Sequence, residues 1–254
     1  MSYHCKIILQ YEGTRYDGWQ KQGNTSNTIQ GKLEQVLERM AGEPVEVRGS
    51  GRTDAGVHAA GQVADFWLPE LWREKGAGFV KDYLNRYLPE DMAVLEASEA
   101  PERFHSRLQA ARKLYLYRIE TGSRRDVFSR RLQYGLGRPL DTEAMAMAAE
   151  LLTGTHDFKS FCGNKRMKKS TVRTVYRISV RQEPDSSLVT LEFEGNGFLQ
   201  NMVRIMAGTL METGLGTRDW RSMPDILAAG DRQAAGFMAP AEGLCLEWVL
   251  YDEP

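Results

Sequence analysis

One carboxylate, Asp54, lies in the glycine-dense stretch 49–59, and Arg52 precedes it by two residues. Glycines accept backbone angles with positive φ and let a ligand approach the chain closely, so this carboxylate can be presented at the floor of a cleft. A neighbouring guanidinium favours the ionised form of a carboxylate. The stretch therefore indicates a nucleophile or a general base.

Three other interpretations of residues 49–59 compete with this one. An Asp in a glycine-rich loop is commonly a turn residue that accepts hydrogen bonds from nearby backbone N–H groups. A phosphate-binding loop would need Gly-Lys-Ser/Thr or G-x-G-x-x-G, and the chain has neither. An aspartic protease needs two carboxylates that share a proton, and a nearby arginine opposes the raised pKa. The turn interpretation stays open, whereas the other two are disfavoured.

The sequence GSGRTDAGVHA at residues 49–59 closely resembles the active-site motif of the tRNA pseudouridine synthase A family, G-[AS]-G-R-T-D-A-G-V-H-[AG]. Further motifs of that family match YEGT with GWQ within 11–20, FHSR at 104–107, ARKLYLY at 111–117, GFLQNMVR at 197–204 and EGLCL at 242–246. The resemblance thus extends over nearly the whole chain.

The resemblance implies roles for three residues. Asp54 is the nucleophile, Tyr115 lies against the target base, and Arg204 pairs with Asp54. Arg52 is expected to contact a phosphate or to help expel the target base, and a plain surface arginine is the alternative. His58 is expected only to pack the loop, and we assign it no proton transfer.

Physical arguments bear on two of these roles. Tyr115 and Tyr117 fall on one face of a predicted strand, where core aromatics are common, but a flipped uracil also needs an aromatic surface for stacking. Arg204 lies among apolar helix residues, so it needs a carboxylate partner. Gln200 and Asn201 stand where some family members carry His, which weakens the case for acid–base chemistry from this helix.

The resemblance implies isomerisation of uridine to pseudouridine in the anticodon stem-loop of tRNA, at positions 38, 39 and 40. Attack of the carboxylate at C1′ or at C6 stays open. The implied enzyme needs no metal, nucleotide or redox cofactor, takes tRNA as its partner, and forms a homodimer. Two other classes remain: a non-catalytic tRNA-binding module, which has no need of Asp54, and an aspartate-dependent hydrolase, which predicts no salt-dependent RNA affinity.

Charge is segregated along the chain although the net charge is only -1. Residues 103–138 hold ten Lys/Arg and two acids, and residues 164–181 hold seven Lys/Arg and no acid. This pattern suits a basic surface for a polyanion on an otherwise acidic body, although the two segments could equally form separate solvated faces. The predicted RNA-backbone residues are Arg112, Lys113, Lys165, Arg166, Lys168 and Lys169.

Composition is that of an ordinary globular protein, with 42% hydrophobic and 26% charged residues in 254. No apolar run is long enough to span a bilayer, and we expect no signal peptide, because the first residues lack the pattern of a charged segment followed by an apolar one. The three cysteines are scattered and lack metal spacing, which predicts reduced thiols in a cytoplasmic protein. The four histidines are equally dispersed, so we expect no metal site.

Hydrophobic periodicity and turn residues predict the elements that position these groups. In the first half they are strands at 5–11, 45–48 and 62–68 and helices at 28–40 and 79–87. In the second half they are a strand at 113–120, a helix at 141–152, a hairpin of 171–181 with 188–194, a helix at 198–213 and a strand at 244–251. Asp54 is therefore expected on a loop between two strands.

This element order predicts an α+β chain of two similar halves. We place the N-terminal half at 1–104, carrying the Asp loop, and the C-terminal half at 105–254, carrying the Tyr strand and the Arg helix. The family resemblance implies antiparallel sheets joined side by side, with helices on one face and an RNA-binding cleft on the other.

Overall fold

The computed structural model describes residues 2–124, 126–164 and 166–252. The chain divides into two compact units. Unit 1 comprises the residues up to Ala111 together with those from Leu246 onward, and unit 2 comprises Arg112–Cys245. The division at 104/105 that we expected from sequence stays a prediction.

Unit 1 is an antiparallel sheet with two helices. Its elements are β1 (Ser2–Tyr11), α1 (Ile29–Ala41), β2 (Val47–Gly49), β3 (His58–Pro69), α2 (Trp72–Tyr87) and β4 (Met92–Glu99), joined by the part of β10 (Leu244–Tyr251) from Leu246. The strand order is β4-β1-β3-β10, and the short β2 pairs with β3. Both neighbours of β1 run antiparallel to it.

Local sequence explains the helices of unit 1. The hydroxyl of Thr28 caps α1 by accepting a hydrogen bond from the backbone N–H of Gly31, and Gly42 ends the helix with φ 79. Leu33 and Leu37 turn the apolar face of α1 inward and are fully buried. In α2, Gly76 has φ 75 and interrupts the helical backbone.

Unit 2 combines a second antiparallel sheet with three helices. Its elements are β5 (Ala110–Glu120), β6 (Tyr134–Gly135), α3 (Thr142–Leu151), β7 (Gly154–Asp157), β8 (Val172–Gln182), β9 (Leu188–Gly195), α4 (Met202–Gly214) and α5 (Met223–Ala229). The strand order is β5-β9-β8-β7, and β6 runs parallel to β5. The register sets Tyr115 opposite Phe193 and Tyr117 opposite Leu191.

The predicted α+β class is confirmed, and two details are wrong. The helix expected at 198–213 begins only at Met202, because Asn201 has the left-handed φ of 59. In β10, the alternation of apolar residues predicts that Leu244, Leu246, Trp248 and Leu250 face inward, but Val249 is buried and Leu250 is 49% exposed. The strands β4 and β7 and the helix α5 were not predicted.

Within the part of the chain that the structure describes, no helix combines the length and the apolar character needed to cross a bilayer.

Candidate active site

Asp54 lies on the loop between β2 and β3, as expected. The two strands are paired antiparallel, with Val47 opposite Phe66 and Gly49 opposite Ala64, so both ends of the loop are anchored in the sheet of unit 1. The Asp54 residue is half-buried and Arg52 is exposed. The loop thus presents one carboxylate at its surface while a cationic side chain of the same loop faces solvent.

Hydrogen bonds fix the backbone on both sides of the Asp54 side chain. The carbonyl of Thr53 accepts from the backbone N–H of Trp19 (3.0 Å), and the carbonyl of Asp54 accepts from the backbone N–H of Val57 (3.1 Å). The buried hydroxyl of Thr53 is hydrogen-bonded to the hydroxyl of Tyr11 at 2.8 Å. A carboxylate on such a backbone loses little further freedom when it reacts, which favours catalysis.

A buried glutamine secures the first half of the loop. The hydroxyl of Ser50 donates to Gln62 Oε1 (2.6 Å), and Gln62 Nε2 donates to the carbonyl of Gly51 (3.1 Å). Gln62 is fully buried on β3. Sequence reasoning missed Gln62 and Thr53, because their roles depend on the pairing of β2 with β3; their positions inside or beside the motif were the only available signal.

Glycines of the opening motif let the chain at 13–18 touch the loop. Gly18 has φ 92, and a Cβ at this position would lie 2.8 Å from the carbonyl oxygen of Thr53. A Cβ on Gly13 would overlap the carbonyl group of Val57. The backbone N–H of Gly13 donates to Nδ1 of the buried His58 (3.0 Å), which accords with a packing role for that histidine.

In unit 2, the ring of Tyr115 packs against an aromatic neighbour. It lies on β5 opposite Phe193 of β9, and its ring meets that of Phe198 edge to face, with centroids 5.4 Å apart. Tyr115 is 8% exposed. Edge-to-face packing of this kind fixes the plane of the ring, so the arrangement suits a surface on which a planar base could stack.

Arg204 lies in the first turn of α4 and is tied to a neighbouring loop. Its Nε donates to the carbonyl of Ala239 at 2.7 Å. The hydroxyl of Tyr117 donates to the next carbonyl, that of Pro240, at 2.9 Å. Burial raises the pKa of Tyr117, so its hydroxyl stays protonated and remains a donor.

The predicted RNA-backbone residues differ in their surroundings. Arg112 donates to Glu194 (3.1 Å) and lies over the ring of Tyr176, while Lys113 is half-buried on β5. Arg166, Lys168 and Lys169 are exposed in the segment before β8. Lys165 lies outside the described residues.

Part of the basic segment 164–181 is neutralised by glutamates of β9. Arg177 lies 3.2 Å from Glu192, and Arg181 lies 3.5 Å from the same carboxylate. The surplus of seven positive charges that the sequence shows therefore overstates the charge that this segment offers to a polyanion. The positive charge that stays available to a polyanion lies on the exposed residues before β8.

Among residues 2–124, 126–164 and 166–252, no group of three or more His, Cys, Asp or Glu is arranged to hold a metal ion. The three cysteines are buried free thiols.

Comparison with known proteins identifies close relatives. A family model described as tRNA pseudouridine synthase matches residues 7–108 and 148–252. The chain is 45% identical to tRNA pseudouridine synthase A of Bacillus sp. (strain KSM-64) over 97% of this chain and 98% of that protein. It is 44% identical to the protein of the same name from Geotalea uraniireducens (strain Rf4), with the same coverage of both chains. It is 43% identical to tRNA pseudouridine synthase A 2 of Bacillus cereus (strain ZK / E33L), again with that coverage.

Proposed function

The chain belongs to the tRNA pseudouridine synthase family and isomerises uridine to pseudouridine in tRNA, and we propose that Asp54 is the nucleophile of this reaction. One observation carries the proposal: the backbone groups on both sides of the Asp54 side chain are hydrogen-bonded, through the carbonyls of Thr53 and of Asp54 itself. A carboxylate anchored in this way can attack an electrophilic carbon without first ordering its own loop.

Two residues of unit 2 complete the proposed machinery. Tyr115 stacks against the flipped uracil, a role supported by its fixed ring orientation beside Phe198. Arg204 pairs with Asp54. Its Nε donates to the carbonyl of Ala239. A guanidinium carries four further N–H donors, and these suit a carboxylate.

Arginines and lysines bind the RNA in this proposal. Arg52 contacts a phosphate or helps to expel the target base, and its exposure on the Asp54 loop supports that role. The backbone of the tRNA is bound by a set of basic residues, namely Arg112, Lys113, Lys165, Arg166, Lys168 and Lys169. Of these, the exposed Arg166, Lys168 and Lys169 have the strongest support.

The proposed reaction has three steps: attack, rotation of the base, and loss of a proton. The Asp54 carboxylate attacks either C1′ of the ribose or C6 of the uracil ring, and the glycosidic bond between N1 and C1′ breaks. The uracil turns within the site and C5 bonds to C1′. The bond from the Asp54 carboxylate to C1′ or C6 breaks, which frees the carboxylate, and the proton on C5 leaves. The net change is an isomerisation, since N1 gains a proton where C5 loses one.

The proposed targets are positions 38, 39 and 40 in the anticodon stem-loop. The proposed active form is a homodimer in the cytoplasm, where three buried cysteine thiols stay reduced. Primer-extension mapping of pseudouridine on tRNA transcripts with uridine at only one of the three positions tests the targets. Sedimentation equilibrium at several protein concentrations tests the dimer.

Tritium release tests the nucleophile, because the C5 hydrogen of uracil is lost during isomerisation. Wild type and Asp54→Asn are compared on tRNA labelled with tritium at C5. We expect release by wild type only, with the tRNA dissociation constants of the two proteins within about threefold. Release by Asp54→Asn at the wild-type rate would contradict the assignment.

A binding control separates chemistry from structure. If Asp54→Asn also loses tRNA affinity or unfolds at lower urea concentration, the carboxylate supports the loop and its role as nucleophile fails this test. Asp157→Asn is the matched control, because Asp157 is an exposed carboxylate that accepts hydrogen bonds from the backbone N–H of Lys159 and the hydroxyl of Thr171.

A further inference from the structure

Phe128 is the most exposed large apolar side chain among the described residues, at 94%. It lies in the segment between β5 and β6, and we call residues 126–132 the Phe128 turn. Val127 and Leu132 of the same turn are also exposed. A single exposed apolar residue needs no explanation, but three within one short turn indicate a contact surface.

Hydrogen bonds build the Phe128 turn before any partner arrives. The Asp126 carboxylate accepts from the backbone N–H of Phe128 (2.9 Å), and the Arg130 guanidinium donates to the carbonyl of Val127. The backbone N–H of Leu132 donates to the carbonyl of Ser129 (2.8 Å). The ring is therefore presented on a formed turn, so a partner that binds it orders little additional chain.

The charged residues next to Phe128 in sequence favour a polyanion as the partner. Arg124, Arg130 and Arg131 are exposed, and residues 124–138 contain five arginines against one acid, Asp126. This acid is engaged in the turn itself through its hydrogen bonds from Ser129 and Phe128, which lower the pKa of its carboxyl. An exposed aromatic ring with exposed arginines on both sides of it in sequence matches the two parts of a nucleotide, a base to stack and a phosphate to neutralise.

We propose that the Phe128 turn is a tRNA-binding element in which the Phe128 ring stacks on an unpaired base while Arg124 and Arg130 contact the adjoining phosphates. The base must be unpaired and splayed out, because a base inside a helix has both faces covered by its neighbours. The inference rests on the proposed function, since it assigns a second contact for the same tRNA substrate.

Affinity for an unmodified tRNA transcript tests the stacking. We compare wild type with Phe128→Ala, Phe128→Leu and Phe128→Trp, and use Leu71→Ala in unit 1 as an exposed apolar control. Phe128→Ala and Phe128→Leu should raise the dissociation constant about tenfold, while Phe128→Trp and Leu71→Ala stay near wild type. Arg124→Gln should flatten the salt dependence of binding, whereas Phe128→Ala should leave its slope unchanged.

Three outcomes would overturn the inference. Equal affinity of Phe128→Ala and wild type would remove Phe128 from the RNA contact. Full affinity of Phe128→Leu would mean that any apolar side chain suffices and that no stacking occurs. A lower mass of Phe128→Ala in sedimentation equilibrium would show that a second copy of the chain covers the turn. Tritium release by wild type is measured alongside, because its absence would count against the proposed function and not against this surface.

Discussion

Arg204 and Tyr117 donate hydrogen bonds to two consecutive carbonyls of one loop, those of Ala239 and Pro240. The two side chains come from a helix and a strand that are far apart in sequence, and together they fix this piece of backbone. We therefore expect Tyr117 to influence the direction of the Arg204 guanidinium through the piece of backbone that both side chains bind. Tyr117 is a positioning residue in this arrangement.

Replacing Tyr117 by Phe should slow catalysis while leaving tRNA affinity unchanged. The Pro240 carbonyl loses its donor, which costs about 1–3 kcal/mol of stability, and the acceptor of Arg204 then shifts. A double-mutant cycle of Tyr117→Phe with Arg204→Lys, read as single-turnover rate, should be non-additive. Tyr251→Phe is the control, because its hydroxyl donates to another backbone carbonyl, that of Ser106 (2.7 Å). Additive effects of Tyr117→Phe and Arg204→Lys would contradict the coupling.

Comparing variants at two glycines with positive φ distinguishes the cost of backbone strain from the effect of displacing the Asp54 loop. Gly42→Ala should cost about 1–2 kcal/mol in urea unfolding, because it places a side chain at positive φ, and Gly18→Ala should cost more, because it adds a backbone clash to the same strain. A Cβ on Gly42 meets no atom within 4 Å, whereas one on Gly18 would press on Thr53 and Ala55. Only Gly18→Ala should therefore reduce the rate at saturating tRNA, by about tenfold or more. A normal rate for Gly18→Ala would show that the loop tolerates displacement.

The exposed basic residues before β8 should control the salt dependence of tRNA binding. The triple variant Arg166→Gln, Lys168→Gln and Lys169→Gln should weaken binding and make the slope of log K against log salt less negative by about two to three. The control is Arg177→Gln with Arg181→Gln, because Glu192 already pairs with both arginines. An equal change of slope in both variants would mean that the pairing with Glu192 does not prevent Arg177 and Arg181 from binding phosphates of the RNA.

A buried carboxylate makes stability depend on pH. Asp65 is fully buried, accepts from the backbone N–H of Ser106 (2.9 Å), lies 3.0 Å from His4 Nε2 and pairs with Arg48. Burial alone would raise the pKa of the Asp65 carboxyl, but the hydrogen bonds from Ser106 and His4 and the charge of Arg48 outweigh it and lower the pKa. A lowered pKa in the folded state contributes stability above the ordinary value of 3.8, and this stability is lost as the pH falls through the folded-state pKa.

Asp65→Asn should therefore destabilise the protein by about 3–5 kcal/mol at pH 7, since it leaves Arg48 and His4 without a charged partner. The difference in unfolding free energy from wild type should stay constant between pH 7 and pH 5 and shrink below about pH 4. Urea unfolding at each pH measures it, with Asp157→Asn as the exposed control. A difference in unfolding free energy that grows as the pH falls would contradict a lowered pKa of the Asp65 carboxyl.

Local signals predicted a large part of the fold. Thr28 and Gly42 marked both ends of α1, and the turn residues between β8 and β9 marked that hairpin. The start of α4 was missed because apolar residues continue the helical pattern back to Phe198, while the left-handed backbone at Asn201 has no apolar signature. The strand β4 was missed because only two of its residues, Met92 and Val94, are buried.

The candidate site was predictable where a motif is contiguous in sequence. Asp54 and Arg52 come from one stretch, so their shared loop followed from the sequence. The contacts that hold the loop join residues far apart, such as Tyr11 with Thr53 and the Ser50–Gln62 pair across the turn from β2 to β3. Strand register decides those contacts, and neither composition nor periodicity specifies register.

Unit 1 is not continuous in sequence, and this affects how the nascent chain folds. Its last strand segment begins at Leu246, so the ribosome must make all of unit 2 before the sheet of unit 1 can be completed. Within unit 1, Gly61 abuts the backbone of Glu247, and Tyr251 donates to Ser106, so this segment is part of the packing. During translation, unit 2 is therefore the first unit whose whole sequence has been synthesised, and the sheet that anchors the Asp54 loop can be completed only after the last strand has been made.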